Sequence, residues 1–186
     1  MRNKTSKPNT HAQDGEDVCA GHALGFPLRS ELGFSSVENV TLDVFRAVCE
    51  VYTSGSAQPW EIAIKISEEN LGMGDGPLLV ARVTSLLRAL RAERKIGFSY
   101  LSVGCQHVSP DELAVAGLLK AVRTRDEHGV QRGLMLALDK PQTSTRTQSA
   151  ARSLAALQMQ LASTRVDSES DAPELQAQTV QAVYLH

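Results

Sequence analysis

A helical stripe of apolar residues after Pro77 constrains the fold of this chain more than any other feature. The stripe consists of Leu79, Val83, Leu86, Leu87 and Leu90. Because an α-helix turns once every 3.6 residues, these side chains share one face and need other elements to cover them. The helix is predicted to end between Lys95 and Gly97, since basic residues and a glycine suit a helix C-terminus.

Two amphipathic segments precede this helix. The first begins at Thr41, a candidate N-cap, and its apolar face is Leu42, Phe45, Val48, Cys49 and Tyr52. The second begins at Pro59, a residue favoured at the first helical position, and its face is Trp60, Ala63, Ile64 and Leu71. Alternation of Ile62, Ile64 and Ile66 also fits a strand. Helix is preferred because the helical period extends beyond strand length.

A capping signature predicts another helix after Ser109. In the run Ser109-Pro110-Asp111-Glu112, the serine accepts from the third helical amide and the glutamate reaches back to the serine amide. The capping role explains these two adjacent carboxylates without catalysis. The apolar positions that follow are Val115, Leu118, Leu119 and Val122. A shorter helical stretch through Leu134, Leu136 and Leu138 ends before Pro141, so the two helices form a hairpin.

These elements predict an all-α fold. Aromatic residues make up only 4% of the chain, which favours helices packed through Leu, Val and Ala over a sheet protein. We expect four or five short helices in a compact bundle over about 40–140 and a weakly docked helix near 148–164. The alternative is an α+β fold with short strands at 61–66 and 98–103.

The remaining segments are predicted to be irregular. Residues 1–39 comprise a disordered lead-in and an irregular arm, because glycines and prolines interrupt every apolar pair. Residues 141–186 comprise a linker, the weakly docked helix and an acidic tail.

Charge, cysteine content and hydropathy exclude several classes of protein. The formal net charge is -2, so the chain lacks the bulk basicity of a non-specific nucleic-acid binder. No run of about 18 apolar residues occurs, so no membrane-spanning segment is expected. Three cysteines form an odd set that fits a reducing compartment better than a disulfide framework, which predicts a cytoplasmic protein.

Four residues provide the ligand types that zinc prefers. Cys19 and His22 lie in the irregular arm, and Cys105 and His107 lie just before the Ser109 helix. Two sulfurs and two imidazoles can complete a tetrahedral zinc site if the pairs meet in space. The simpler interpretation has buried cysteines and loop or surface histidines. A further interpretation makes Cys105 a nucleophile with His107 nearby.

The helix over 77–95 carries a candidate binding face. Arg88, Arg91 and Lys95 fall within about 60° of one another on a helical wheel. Such a face suits an acidic protein or nucleic-acid phosphates, although a solvated helix face is the preferred interpretation because aromatic stacking residues and a helix-turn-helix are both missing from the pattern. The preceding glycines, Gly72 to Gly76, are interpreted as an interhelical turn, since the residues that a phosphate loop requires do not follow them.

Three functions are consistent with these patterns. We expect a non-enzymatic helical module that acts in protein–protein interaction or regulation, with a protein partner and no cofactor. The first alternative is a DNA-binding transcriptional regulator that uses the basic face of helix 77–95. The second alternative is a small zinc-dependent or thiol-dependent enzyme.

Overall fold

The computed structural model describes residues 19–141 and 145–170, with side chains described as far as 164. The helices of these ranges are α1 Ala20–Ala23, α2 Arg29–Leu32, α3 Ser36–Ser54, α4 Gln58–Glu93, α5 Pro110–Arg123, α6 Glu127–Leu138 and α7 Thr145–Ser170. The all-α prediction is confirmed. The expected disordered lead-in over 1–18 and the tail beyond 170 lie outside the described residues.

Helix α3 begins earlier than the apolar pattern predicts. Ser35 accepts a hydrogen bond from the amide of Glu38, and the Glu38 carboxylate accepts one from the amide of Ser35. This capping box starts the helix at Ser36. Thr41 is therefore not the N-cap. It lies buried inside the helix and donates its hydroxyl to the Val37 carbonyl at 2.7 Å.

Helix α4 contains a sharp corner at Gly72. The backbone there has φ 84° and ψ 168°, a conformation that glycine reaches far more readily than other residues. The two halves then pack closely, because a Cβ on Gly76 would lie only 2.7 Å from the Glu68 backbone nitrogen. The predicted interhelical turn therefore consists of a single non-helical residue, Gly72.

Neither of the strands in the alternative fold is present. Residues 61–66 belong to the first half of α4, with Ala63 fully buried and Ile62 exposed. Residues 98–103 form a connector without strand pairing. The helical period therefore identified the structure at 61–66 better than the isoleucine alternation did.

Helix α7 is part of the core, contrary to the expectation of a weakly docked helix. It packs against both α4 and α5 and begins at Thr145, inside the predicted linker. Its buried side chains are Thr147, Ala151, Leu154, Ala155, Leu157, Gln158 and Leu161. The sequence shows only a narrow apolar stripe of leucines in this helix, because two alanines and two polar residues complete its buried face.

The core lies where α3, α4, α5, α6 and α7 meet. It includes Val44, Val48, Leu79, Leu86, Leu118, Leu134 and Leu154. In the α5–α6 pair the Ser109 capping box is confirmed, and Asp126 caps α6 by accepting from the Gly129 amide at 2.9 Å. Leu136 does not join the core and is exposed. The N-terminal arm (residues 19–35) and the anchor loop (residues 101–109) lie against each other beside this bundle.

Candidate metal centre

Backbone pairing brings the N-terminal arm onto the anchor loop. The Arg29 amide donates to the Gln106 carbonyl at 2.8 Å, and the Val108 amide donates to the Pro27 carbonyl at 2.9 Å. These bonds flank an isolated antiparallel bridge between Leu28 and His107. The pairing fixes where the start of the arm lies relative to the loop.

Three of the four predicted ligands meet as a result. The Sγ atoms of Cys19 and Cys105 lie 3.5 Å apart, and the Cys19 Sγ lies 3.3 Å from Nδ1 of His107. All three ligand atoms lie within 4.8 Å of one another. In a tetrahedral zinc site the corresponding edges are about 3.8 Å between sulfurs and about 3.6 Å between sulfur and nitrogen. In this thiol–imidazole cluster (Cys19, Cys105 and His107), the two edges that meet at Cys19 are therefore each within about 0.3 Å of those in a zinc site.

His22 lies beside the cluster. It follows Cys19 by three residues across α1, and its ring contacts the His107 ring edge-on with centroids 5.7 Å apart. The side chain is exposed. The structure thus brings together both pairs that the sequence singled out, with three residues in ligand geometry and the fourth adjacent to them.

Gly21 permits this close approach of the arm and the loop. Gly21 is buried, and a Cβ there would lie 2.5 Å from Cβ of His107 and 3.0 Å from the Leu101 side chain. Any side chain at this position would push the arm away from the loop. The glycine between Cys19 and His22 is therefore part of the site.

Arg46, a residue of helix α3, holds the anchor loop through its backbone carbonyls. Its side chain is fully buried, yet its guanidinium donates Nη1 to the Cys105 carbonyl at 2.7 Å and Nη2 to the His107 carbonyl at 2.5 Å. A further bond reaches the Ser102 carbonyl at 3.2 Å. Both loop ligands are thus held through their own backbones.

Glu112 neutralises Arg46 and closes the loop at both ends. Its carboxylate accepts Nε of Arg46 at 2.7 Å and Nη2 at 2.9 Å. The same carboxylate accepts the amides of Leu101 at 3.0 Å and Ser109 at 2.8 Å. Because a buried charge is costly unless it is paired and hydrogen-bonded, this arrangement favours one loop conformation. The capping role that the sequence predicts for Glu112 is correct, and the ion pair adds a second role.

Asp43 joins helix α3 to both segments. It accepts two hydrogen bonds from the Arg29 guanidinium, at 2.5 and 2.9 Å, and one from the Gly104 amide at 3.0 Å. Burial by itself would raise the pKa of Asp43, but the Arg29 and Gly104 hydrogen bonds outweigh it and lower the pKa below its ordinary value. Asp43 is therefore held as a carboxylate.

The two cluster thiols differ in acidity. The His22 backbone amide and then the Cys105 thiol stabilise the Cys19 thiolate and lower its pKa. Burial raises the pKa of Cys105, which argues against the sequence-based interpretation of Cys105 as the nucleophile. The third cysteine, Cys49, is buried in the core, and burial raises its pKa strongly. Cys19 is therefore the more acidic thiol of the cluster, and Cys105 donates a hydrogen bond to it.

The structure divides the predicted basic face between two grooves. All three side chains are exposed, but Arg88 lines a groove shared with α7, whereas Arg91 and Lys95 line another beside α3. Tyr52 lies between them: it accepts Nε of Arg88 at 3.3 Å, and the Arg91 guanidinium lies 4.0 Å from its ring centroid. Use of these residues in partner binding stays a prediction.

Sequence reasoning missed Arg46 and Asp43, the residues that position the loop. Arg46 interrupts an otherwise apolar run between Phe45 and Val48. A charged residue among core positions signals a buried ion pair, and this signal was available.

Comparison with known proteins does not identify a family for this chain. No protein family, no curated protein and no solved structure matches this chain. Among the described residues, none of the helices combines the length and apolarity needed to cross a membrane.

Proposed function

We propose that this protein is a zinc-binding helical module in which the ion fastens the N-terminal arm to the anchor loop. Cys19, Cys105 and His107 are the first three ligands, and His22 turns inward as the fourth. The observation that carries the proposal is the meeting of two thiols and an imidazole from segments 86 residues apart, with their ligand atoms within 4.8 Å.

The donor set selects zinc over harder ions. Thiolates and imidazoles favour zinc, whereas magnesium and calcium prefer oxygen ligands. The lowered pKa of Cys19 favours the thiolate form that binds metal. Arg46 holds the backbone of both loop ligands, so little ordering of the loop is needed when the ion binds.

A structural role for the ion agrees best with the surrounding groups. The two carboxylates of the network, Asp43 and Glu112, are occupied by arginines and backbone amides and are not available as general bases. Four protein ligands leave no open position for substrate. We therefore place the protein among non-enzymatic interaction or regulatory modules that act on a protein partner. The three free thiols suit a reducing compartment such as the cytoplasm.

Metal content and cobalt substitution test the proposal. Protein purified without chelator should contain one zinc per chain, and cobalt should give tetrahedral d–d bands with a thiolate charge-transfer band. Cys105→Ser should lower the zinc content of the purified protein and weaken the thiolate charge-transfer band. Cys49→Ala is the matched control, because it also removes a thiol but leaves the cluster intact, and it should keep full zinc content.

Two outcomes would reject the proposal. One is purified protein without zinc that also fails to bind added zinc or cobalt. The other is equal zinc loss in the Cys49→Ala and Cys105→Ser variants. His22→Ala separately tests the fourth ligand: it should weaken zinc binding by about 10-fold to 100-fold or more, and unchanged affinity would contradict a closed structural site.

A further inference from the structure

A second candidate site is a groove between the two halves of α4 and the start of α7. This arginine groove has a volume of about 830 Å³, within the range of small-molecule sites. Its polar lining consists of Arg82, Thr84, Ser85, Arg88, Arg146, Ser149 and Ser153. Trp60, Ile64 and Pro77 supply an apolar part.

The charges of the groove point to an anionic ligand. Three guanidinium groups line it, and its lining includes no carboxylate. Within the part of the chain that the structure describes, none of these arginines forms an ion pair. Like charges that line one groove repel one another, and a bound anion relieves that repulsion. Guanidinium groups also bind phosphate oxygens in a bidentate manner.

Arg88 is an exposed side chain of the groove lining. Its Nε donates to the Tyr52 hydroxyl at 3.3 Å, so its terminal nitrogens remain available. Arg146 lies in the first turn of α7, where the helix dipole adds positive potential. Serine hydroxyls between these arginines offer further donors to a phosphate.

Trp60 gives the groove an aromatic surface. Its helical stripe predicts a core residue, yet 36% of its surface is exposed, and it lines the groove beside Ile64 and Pro77. A large exposed indole ring beside a cationic surface suits a ligand that combines a planar ring with negative charge. We propose that the arginine groove binds a nucleotide, with its phosphates on Arg82, Arg88 and Arg146 and its base against Trp60.

Fluorescence tests the proposal directly, because Trp60 is the only tryptophan in the chain. Titration of the full-length protein with ATP, excited at the red edge of tryptophan absorption, should change the Trp60 emission saturably. Arg82→Gln and Arg146→Gln should each raise the Kd by about tenfold, because each removes one charge-assisted contact. Arg132→Gln, an exposed arginine on α6, is the matched control and should leave the Kd unchanged. Circular dichroism should show equal helicity in all variants.

Separate ligands distinguish the phosphate from the base. Tripolyphosphate should bind more weakly than ATP, and adenosine more weakly still. Calorimetry should show that Trp60→Leu reduces ATP affinity to that of tripolyphosphate. Absence of saturable ATP binding would overturn the proposal, as would equal weakening by Arg132→Gln. Equal affinity for ATP and tripolyphosphate, or binding of duplex DNA alone, would overturn the assignment to a nucleotide. Cys105→Ser should leave ATP binding intact, so this test is independent of the zinc site.

Discussion

Replacement of Arg46 by leucine should destabilise the protein more than any surface charge change. The variant leaves Glu112 buried without its cation and removes the donors to three carbonyls of the anchor loop. Breaking a buried ion pair by removing one partner costs about 3–5 kcal/mol. Because a domain of this size has a total stability of about 5–15 kcal/mol, Arg46→Leu should remove a large fraction of it.

Urea unfolding followed by circular dichroism measures this loss. The matched control is Lys65→Met, which breaks an ion pair with Glu69 that is 3.8 Å long and 74% and 61% exposed at its two side chains. The control should change the unfolding free energy by less than about 1 kcal/mol. The double variant Arg46→Leu/Glu112→Leu should lose less than the sum of the two single variants. A loss below about 1 kcal/mol for Arg46→Leu, or additive losses in the double variant, would refute the role assigned to the pair.

Three further predictions concern the fold and the site. Ala63→Asp should lower the melting temperature more than Ile62→Asp, because Ala63 is fully buried on the inner face of α4 and Ile62 is exposed; the reverse order would contradict the helix at 61–66. Gly76→Ala should destabilise the protein in thermal melts by forcing the two halves of α4 apart, whereas Gly74→Ala, with nothing within 4 Å of its Cβ, should not. The pKa of Asp43 is lower in the folded protein than its ordinary value, so ionised Asp43 stabilises the fold at any pH above that ordinary value. This stabilisation is lost as the pH falls through the folded-state pKa. An Asp43→Asn variant should therefore lose stability at neutral pH and show a shallower acid transition.

Local signals in the sequence were sufficient for most of the fold. The stripe after Pro77 and the capping box at Ser109 each predicted a helix that the structure contains. The start of α3 was placed too late because the apolar stripe took precedence over Ser35 and Glu38, whose spacing is itself a capping box. Weak docking was expected of α7 because small and polar residues, such as Ala151 and Gln158, complete its buried face.

The candidate site depends on long-range pairing that spacing does not encode. Cys19 and Cys105 are 86 residues apart, and the bridge between Leu28 and His107 determines that they meet. A single isolated bridge has no periodic signature in the sequence. The residue types were sufficient to nominate the ligands, and the tertiary structure was needed to bring them together.

X-ray absorption at the zinc edge of the purified protein tests the central claim most directly. The proposed site predicts a first shell of two sulfurs at about 2.3 Å and two imidazole nitrogens at about 2.0–2.1 Å. The Cys105→Ser variant, reloaded with zinc, should lose one sulfur from that shell. A shell of oxygen and nitrogen without sulfur, or one that Cys105→Ser leaves unchanged, would contradict the assignment of Cys19, Cys105, His107 and His22 as a zinc centre.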